Sequence, residues 1–123
     1  MSVETKENPT DVFPEFRKLS PKVTGGLLRM REEAYADGIL TGKHKVLTAL
    51  AISVAIRCEP CIRAYAKMAY GRGASKEELM EFLNVAITMQ GCPGEEWALK
   101  AYAAYEEVVG GEVRPQDENC CST

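Results

Sequence analysis

Residues 41–70 read TGKHKVLTALAISVAIRCEPCIRAYAKMAY, and this stretch decides the fold. Apolar residues recur at steps of three and four through Val46, Leu47, Leu50, Ala51, Val54 and Ala55, the spacing of one helix face. Thr41 is placed to cap this helix, which is expected over Gly42 to about Arg57. Ile52 and Ile56 carry apolar character to its other side. A helix apolar around most of its circumference belongs in a core or an oligomer interface. Two thiols follow, Cys58 and Cys61, with Pro60 between them. Proline is at home in a first helical turn, where the N–H it lacks would have no intrahelical partner. The pair therefore marks the start of a second helix, from about Glu59 to Tyr70, stopped by Gly71-Arg72-Gly73. At that position unpaired N–H groups and the positive end of the peptide dipole favour thiolate over thiol.

Working outward, Ser75-Lys76-Glu77-Glu78 has the form of a capping box. The helix it opens carries Leu79, Phe82, Leu83, Ala86, Ile87 and Met89 and ends at Gln90-Gly91. A last helix is expected from near Pro93 to about Val109, with Trp97, Ala101, Tyr102, Tyr105 and Val108 on one side, before Gly110-Gly111. On the N-terminal side, Thr10 or Asp11 heads a short turn through Phe13 and Phe16. Pro21 then opens a helix near Val23–Ala36, with Leu27, Met30 and Tyr35 as its apolar contacts, closed by Asp37-Gly38. No stretch shows strand alternation and there is no internal repeat, so the fold class is all-α. The organisation reads as an N-terminal segment 1–20, one helical domain 21–111, and a polar tail 112–123 holding Cys120 and Cys121.

Composition narrows the function classes. The chain has 123 residues, enough for one core, with 46% apolar and 27% charged side chains. A net charge of −3 leaves no basic footprint, which excludes nucleic acid and anionic membranes as expected partners. No apolar run is long enough to span a bilayer and the N-terminus lacks a signal-peptide pattern, so a cytoplasmic location is expected. Five cysteines, an odd number without an export signal, point to redox or metal chemistry rather than a secreted disulfide framework.

For Cys58 and Cys61 the plain alternative to redox use is a pair of small buried hydrophobes. Position alone favours Cys58 as the nucleophile, since it lies nearer the cap. A zinc site would need Cys92 and the tail as further ligands, whereas structural zinc usually shows two such pairs. Cys92, between Gly91 and Pro93, reads as packing at a helix junction, and His44 as a surface residue of a helix start. Cys120-Cys121 are adjacent and bridge to each other only with strain, so they face outward.

The stretch from Lys43 to Gly94 resembles the alkylhydroperoxidase D-like branch of the carboxymuconolactone decarboxylase superfamily. The resemblance is carried by Lys45 to Ala51, by Arg57-Cys58-Glu59-Pro60-Cys61, by Gly73-Ala74-Ser75 with Glu77-Glu78-Leu79, and by Ala86 to Pro93. It implies an all-helical subunit, a homo-oligomer (trimer or hexamer), and thiol-dependent peroxidase or disulfide-reductase chemistry without a cofactor. It also implies that Cys61 attacks the peroxide and that Cys58 resolves the sulfenic acid into a disulfide, with an external thiol as reductant. Where that family has a relay of one glutamate and two histidines, this chain has Val46, Pro60 and Tyr65. His44 lies two helical steps from Val46, turned about 200° away from it. Tyr65, one turn after Cys61 and on its face, can donate a hydrogen bond to a thiolate or a bound peroxide oxygen. Arg57 and Arg63 are the cations expected to favour thiolate.

The expected function is that of a thiol-disulfide oxidoreductase or alkylhydroperoxidase-like protein, its peroxidase activity weakened by loss of the relay. The alternative is non-enzymatic binding of a soft metal or metalloid ion by Cys58, Cys61, Cys120 and Cys121. There the tail resembles the vicinal dithiol that closes mercuric reductases. A third reading is a helical oligomer with vestigial chemistry. Lactone decarboxylation is not expected, because that branch does not work through a dithiol and this chain lacks its histidines.

Overall fold

A computed structural model describes residues 12–111. Among them are six helices and no strand, as the all-α expectation requires: α1 (Phe13–Leu19), α2 (Pro21–Ala34), α3 (Gly42–Ala55), α4 (Glu59–Gly71), α5 (Lys76–Gln90) and α6 (Cys92–Val109). Among the described residues no helix is long and apolar enough to cross a membrane.

Helices α3 to α6 form a four-helix core in which α6 packs extensively on both α4 and α5, and α3 on α4 and α5. Val46, Leu47, Leu50 and Val54 line the inner face of α3 without exposure, meeting Ile62 of α4 and Leu79 and Leu83 of α5. Each such leucine contributes about 1.5–3 kcal/mol by leaving water. Helices α4 and α6, which pack on each other, bury small residues, Ala66 and Ala69 on α4 and Ala98, Ala101 and Ala104 on α6, and small side chains let helix backbones approach closely. Ile52 and Ile56 lie outside this core and are exposed, so part of the apolar breadth of α3 is not covered by the described residues.

Local signals set the helix ends. Thr41 Oγ1 accepts from His44 N at 3.3 Å at the start of α3. The Ser75 capping box forms fully: Glu78 N donates to Ser75 Oγ at 3.1 Å and Ser75 N donates to Glu78 Oε1 at 3.0 Å. Helices α3 and α4 end in the same turn, where one N–H reaches back five residues and the preceding N–H three. At α4 the left-handed residue is Gly73, with φ 84°. At α3 the same place is taken by Arg57, with φ 58°, so α3 stops at Ala55 rather than Arg57. Gly91 joins α5 to α6 at φ 73° and ψ −146°, a region open essentially to glycine.

Polar ties cross the bundle as well. Lys43 Nζ meets Glu78 Oε2 at 2.8 Å, joining the starts of α3 and α5, and this hydrogen bond, with that from Ser75 N, holds the Glu78 carboxyl below its ordinary range. Arg63 of α4 meets Glu107 of α6 at 3.2 Å. Tyr105 donates to Ala74 O at 2.6 Å, and its burial pushes the phenol up from its ordinary value.

Helices α1 and α2 differ from the rest, since neither contains a buried residue. Leu27 and Met30, expected as inward contacts of α2, are exposed. The stripe is real, but within one chain it faces away from the core.

Candidate dithiol site

Cys58 is the N-cap of α4, and extended backbone (φ −100°, ψ 97°) turns its side chain over the helix end. Its own N–H donates to Ser53 O at 3.0 Å, closing the turn after α3, so the end of one helix fixes the start of the next. Cys61 lies in the first turn of α4, and its N–H donates to Cys58 Sγ at 3.3 Å. A sulfur thus fills the place usually taken by a serine or aspartate oxygen. The two sulfurs are at disulfide-bonding distance, with Cα atoms 5.3 Å apart. Both cysteines are partly exposed. Pro60 sits in the first turn of α4, where it displaces no hydrogen bond.

Tyr65, one turn beyond Cys61, is only 8% exposed. Its hydroxyl lies 2.7 Å from that of Tyr35, and the two rings meet edge to face at 5.6 Å. Tyr35, expected from sequence only as an apolar contact, is the hydroxyl partner of Tyr65. It lies thirty positions upstream, and only tertiary packing brings its hydroxyl to Tyr65. Its backbone is anchored, since Arg72 Nη1 donates to Tyr35 O at 2.8 Å. The loop that follows is pinned by Lys45 Nζ on Ala36 O at 2.7 Å and by Gly42 N on Asp37 Oδ1 at 2.6 Å. The hint lay in Gly42, where a Cβ would collide with Arg72 and the Tyr35 carbonyl.

Arg63 is engaged by carboxylates, Glu107 at 3.2 Å and Glu59 at 3.5 Å, so much of its charge is compensated within the bundle. Arg57 is exposed, adjoins Cys58 in the chain and has no ion-pair partner among the described residues. Val46 is fully buried and Pro60 is exposed. His44 packs against the ring of Phe82, centroids 6.0 Å apart, near the start of α3. The length of α3 puts it about 20 Å from the dithiol.

Gln90, at the end of α5, donates from Nε2 to Ala55 O at 2.9 Å, where α3 ends. Its Oε1 is buried with no hydrogen-bond partner among the described residues. Cys92 is a free, exposed thiol at the first position of α6. Cys120 and Cys121 lie outside the described residues, which contain no group of three or more metal-ligating side chains.

Residues 21–104 match the model of the carboxymuconolactone decarboxylase family. A crystal structure of a protein of that family from Legionella pneumophila, solved in its apo form, superposes with a TM-score of 0.76 at 36% identity, over 80% of this chain and 88% of that one. The chain is also 30% identical over 96 residues to "Uncharacterized protein 4 in cox locus" of Paracoccus denitrificans, covering 78% of this chain and 86% of that protein. An uncharacterised protein of Cupriavidus necator is 29% identical over 109 residues, 86% of this chain and 96% of its own. The dithiol helix and its capped neighbours are thus set in a shared scaffold, and the chain belongs to the carboxymuconolactone decarboxylase family.

Proposed function

We propose that the protein is a thiol-disulfide oxidoreductase that reduces hydroperoxides slowly, through Cys58 and Cys61. The observation that carries this reading is the cap: Cys58 Sγ accepts the Cys61 N–H at 3.3 Å while lying at bonding distance from the Cys61 sulfur. In the reduced protein a thiolate at Cys58 is held by that N–H and by the helix dipole.

Cys61 then attacks the terminal peroxide oxygen and passes its proton to the Cys58 thiolate. The O–O bond breaks, the oxygen accepts two electrons from sulfur, and Cys61 becomes a sulfenic acid. Tyr65 hydrogen-bonds the departing alkoxide and gives it a proton, replaced through the Tyr35 hydroxyl, 2.7 Å away at the less buried end of the pair. The Cys58 thiol next displaces hydroxide from the sulfenic acid, forming the disulfide and releasing water. An external dithiol attacks Cys61 to restore the pair, and Cys58 leaves as the thiolate that the cap favours. A phenol is a poorer relay than an imidazole, having an unperturbed pKa of about 10 against about 6.5.

The test is peroxide consumption with a small dithiol as reductant, beside exchange with an aromatic disulfide whose leaving thiolate needs no proton. Cys61→Ser removes peroxide reduction, and Cys58→Ser slows it from the first turnover, because the Cys61 proton loses its acceptor and the sulfenic acid must be reduced directly by the added dithiol. Tyr65→Phe and Tyr35→Phe slow peroxide reduction by about tenfold or more but leave exchange unchanged. If both serine variants match the parent in both assays, the reading is wrong.

A further inference from the structure

Gln90 carries a polar group that the dithiol chemistry does not use. It is the last residue of α5, and its Oε1 is buried without a hydrogen-bond partner among the described residues. A buried acceptor with no donor is disfavoured, and leucine or methionine would occupy the same place without that penalty. Its stem is gripped as well. A Cβ at Gly94 would lie 2.7 Å from Gln90 Cβ, so the bare glycine lets the first turn of α6 close on it. What the amide supplies in return is at its other end.

The last four carbonyls of a helix have no intrahelical donor. In α3 these belong to Ile52, Ser53, Val54 and Ala55. Ile56 N donates to Ile52 O at 2.9 Å, Cys58 N to Ser53 O at 3.0 Å and Arg57 N to Val54 O at 3.1 Å. Ala55 O receives Gln90 Nε2 at 2.9 Å, from thirty-five positions along the chain. Gln90 thus completes the turn that carries Cys58 and ties that turn to α5. In the oxidised protein the bond to Cys61 also holds Cys58 at the head of α4. Once that bond opens, Cys58 Sγ is kept over the Cys61 N–H by the cap hydrogen bond and by the turn behind it. Support for the turn therefore matters more in the reduced protein than in the oxidised one.

We propose that Gln90 is a positioning residue for the dithiol. By holding Ala55 O it keeps Cys58 in place to cap α4 after the disulfide opens, and so favours the dithiol over the disulfide. The inference rests on Cys58 and Cys61 being a redox couple, the first half of the proposed function, and not on their reducing peroxide.

The experiment uses the full-length parent, Gln90→Leu and Gln90→Met. Methionine is unbranched and adapts to irregular space, which keeps one variant readable where the other fails to fold. Each protein is equilibrated with mixtures of reduced and oxidised dithiothreitol, which exchange two electrons with the pair, then alkylated and weighed. Both variants shift the equilibrium toward the disulfide by about threefold or more, or about 15 mV. In the reduced variants the pH midpoint for alkylation of Cys58, mapped on its peptide, moves upward. Thermal stability falls further in the reduced form than in the oxidised one. A role confined to packing would lower both forms alike and leave the equilibrium and the pH profile as in the parent, and that result overturns the proposal. So does a shift toward the dithiol. Peroxide consumption by the parent is measured alongside. A parent inert to peroxide whose variants still shift the equilibrium refutes the peroxidase reading alone, whereas an active parent with unshifted variants refutes the role of Gln90 alone.

Discussion

Arg57→Gly should stabilise this protein while making its dithiol less reactive. Arg57 occupies the left-handed residue of the turn after α3, with φ 58°. That conformation costs a residue bearing a Cβ about 1–2 kcal/mol, and glycine almost nothing. Glycine also loosens the unfolded chain, which removes about 0.4–1 kcal/mol of the gain. The net expectation is a stabilisation of about 0.8 kcal/mol, the middle of a range from about 0 to 1.6, or about 2–6 °C in Tm for a domain of this size. The charge acts separately. Removing a cation next to Cys58 lowers the thiolate population of the reduced protein by a factor of about two at modest salt. Arg57→Ala separates the two contributions, because it loses the same charge but keeps the Cβ. Thermal unfolding of the oxidised proteins and alkylation rate against pH for the reduced ones give both readouts. Alanine and glycine should slow alkylation equally, with only glycine raising Tm. A glycine variant no more stable than the alanine variant would refute the strain argument.

Gly94→Ala should destabilise by about 1–3 kcal/mol, measured by denaturant titration, because a Cβ there would lie 2.7 Å from Gln90 Cβ and 3.1 Å from Ala86 O, where α6 crosses α5. Acid should weaken the Lys43–Glu78 tie: the folded carboxyl sits below its ordinary value of 4.5, so its stabilisation is present above that pH and is lost as pH falls through the lower folded value. Glu78→Gln should therefore be less stable than the parent near neutrality and approach it in acid, and a gap that stays constant through that window would count against the tie.

Where local chemistry decides, the sequence was enough. The Ser75 box, Gly73 and the apolar steps of α3 and α5 act within a few residues, and the dithiol's place at the head of α4 follows from Pro60 and its neighbours. The unread parts depend on distant partners. Arg57 gave no sign of its positive φ, because arginine is not a residue the left-handed region selects. Arg63 looked like a cation for the thiols, yet Glu107, far along the chain, takes it up. The direction faced by Leu27, Met30, Ile52 and Ile56 is set by packing, and apolar periodicity reports a face without naming what covers it. Cys58, Cys61 and Tyr65 were singled out from sequence, whereas the contact of Tyr35 with Tyr65 comes only through the fold.

The sulfur that closes α4 has two occupations, and thermodynamics binds them together. Whatever strengthens its grip on the Cys61 amide more in the reduced than in the oxidised protein must make the dithiol harder to oxidise by the same free energy. A change in the difference of first-turn fraying between the reduced and oxidised forms and the resulting shift in midpoint potential are thus one quantity seen by two instruments, so a substitution anywhere that loosens the turn selectively in the reduced form would retune the couple without touching either cysteine.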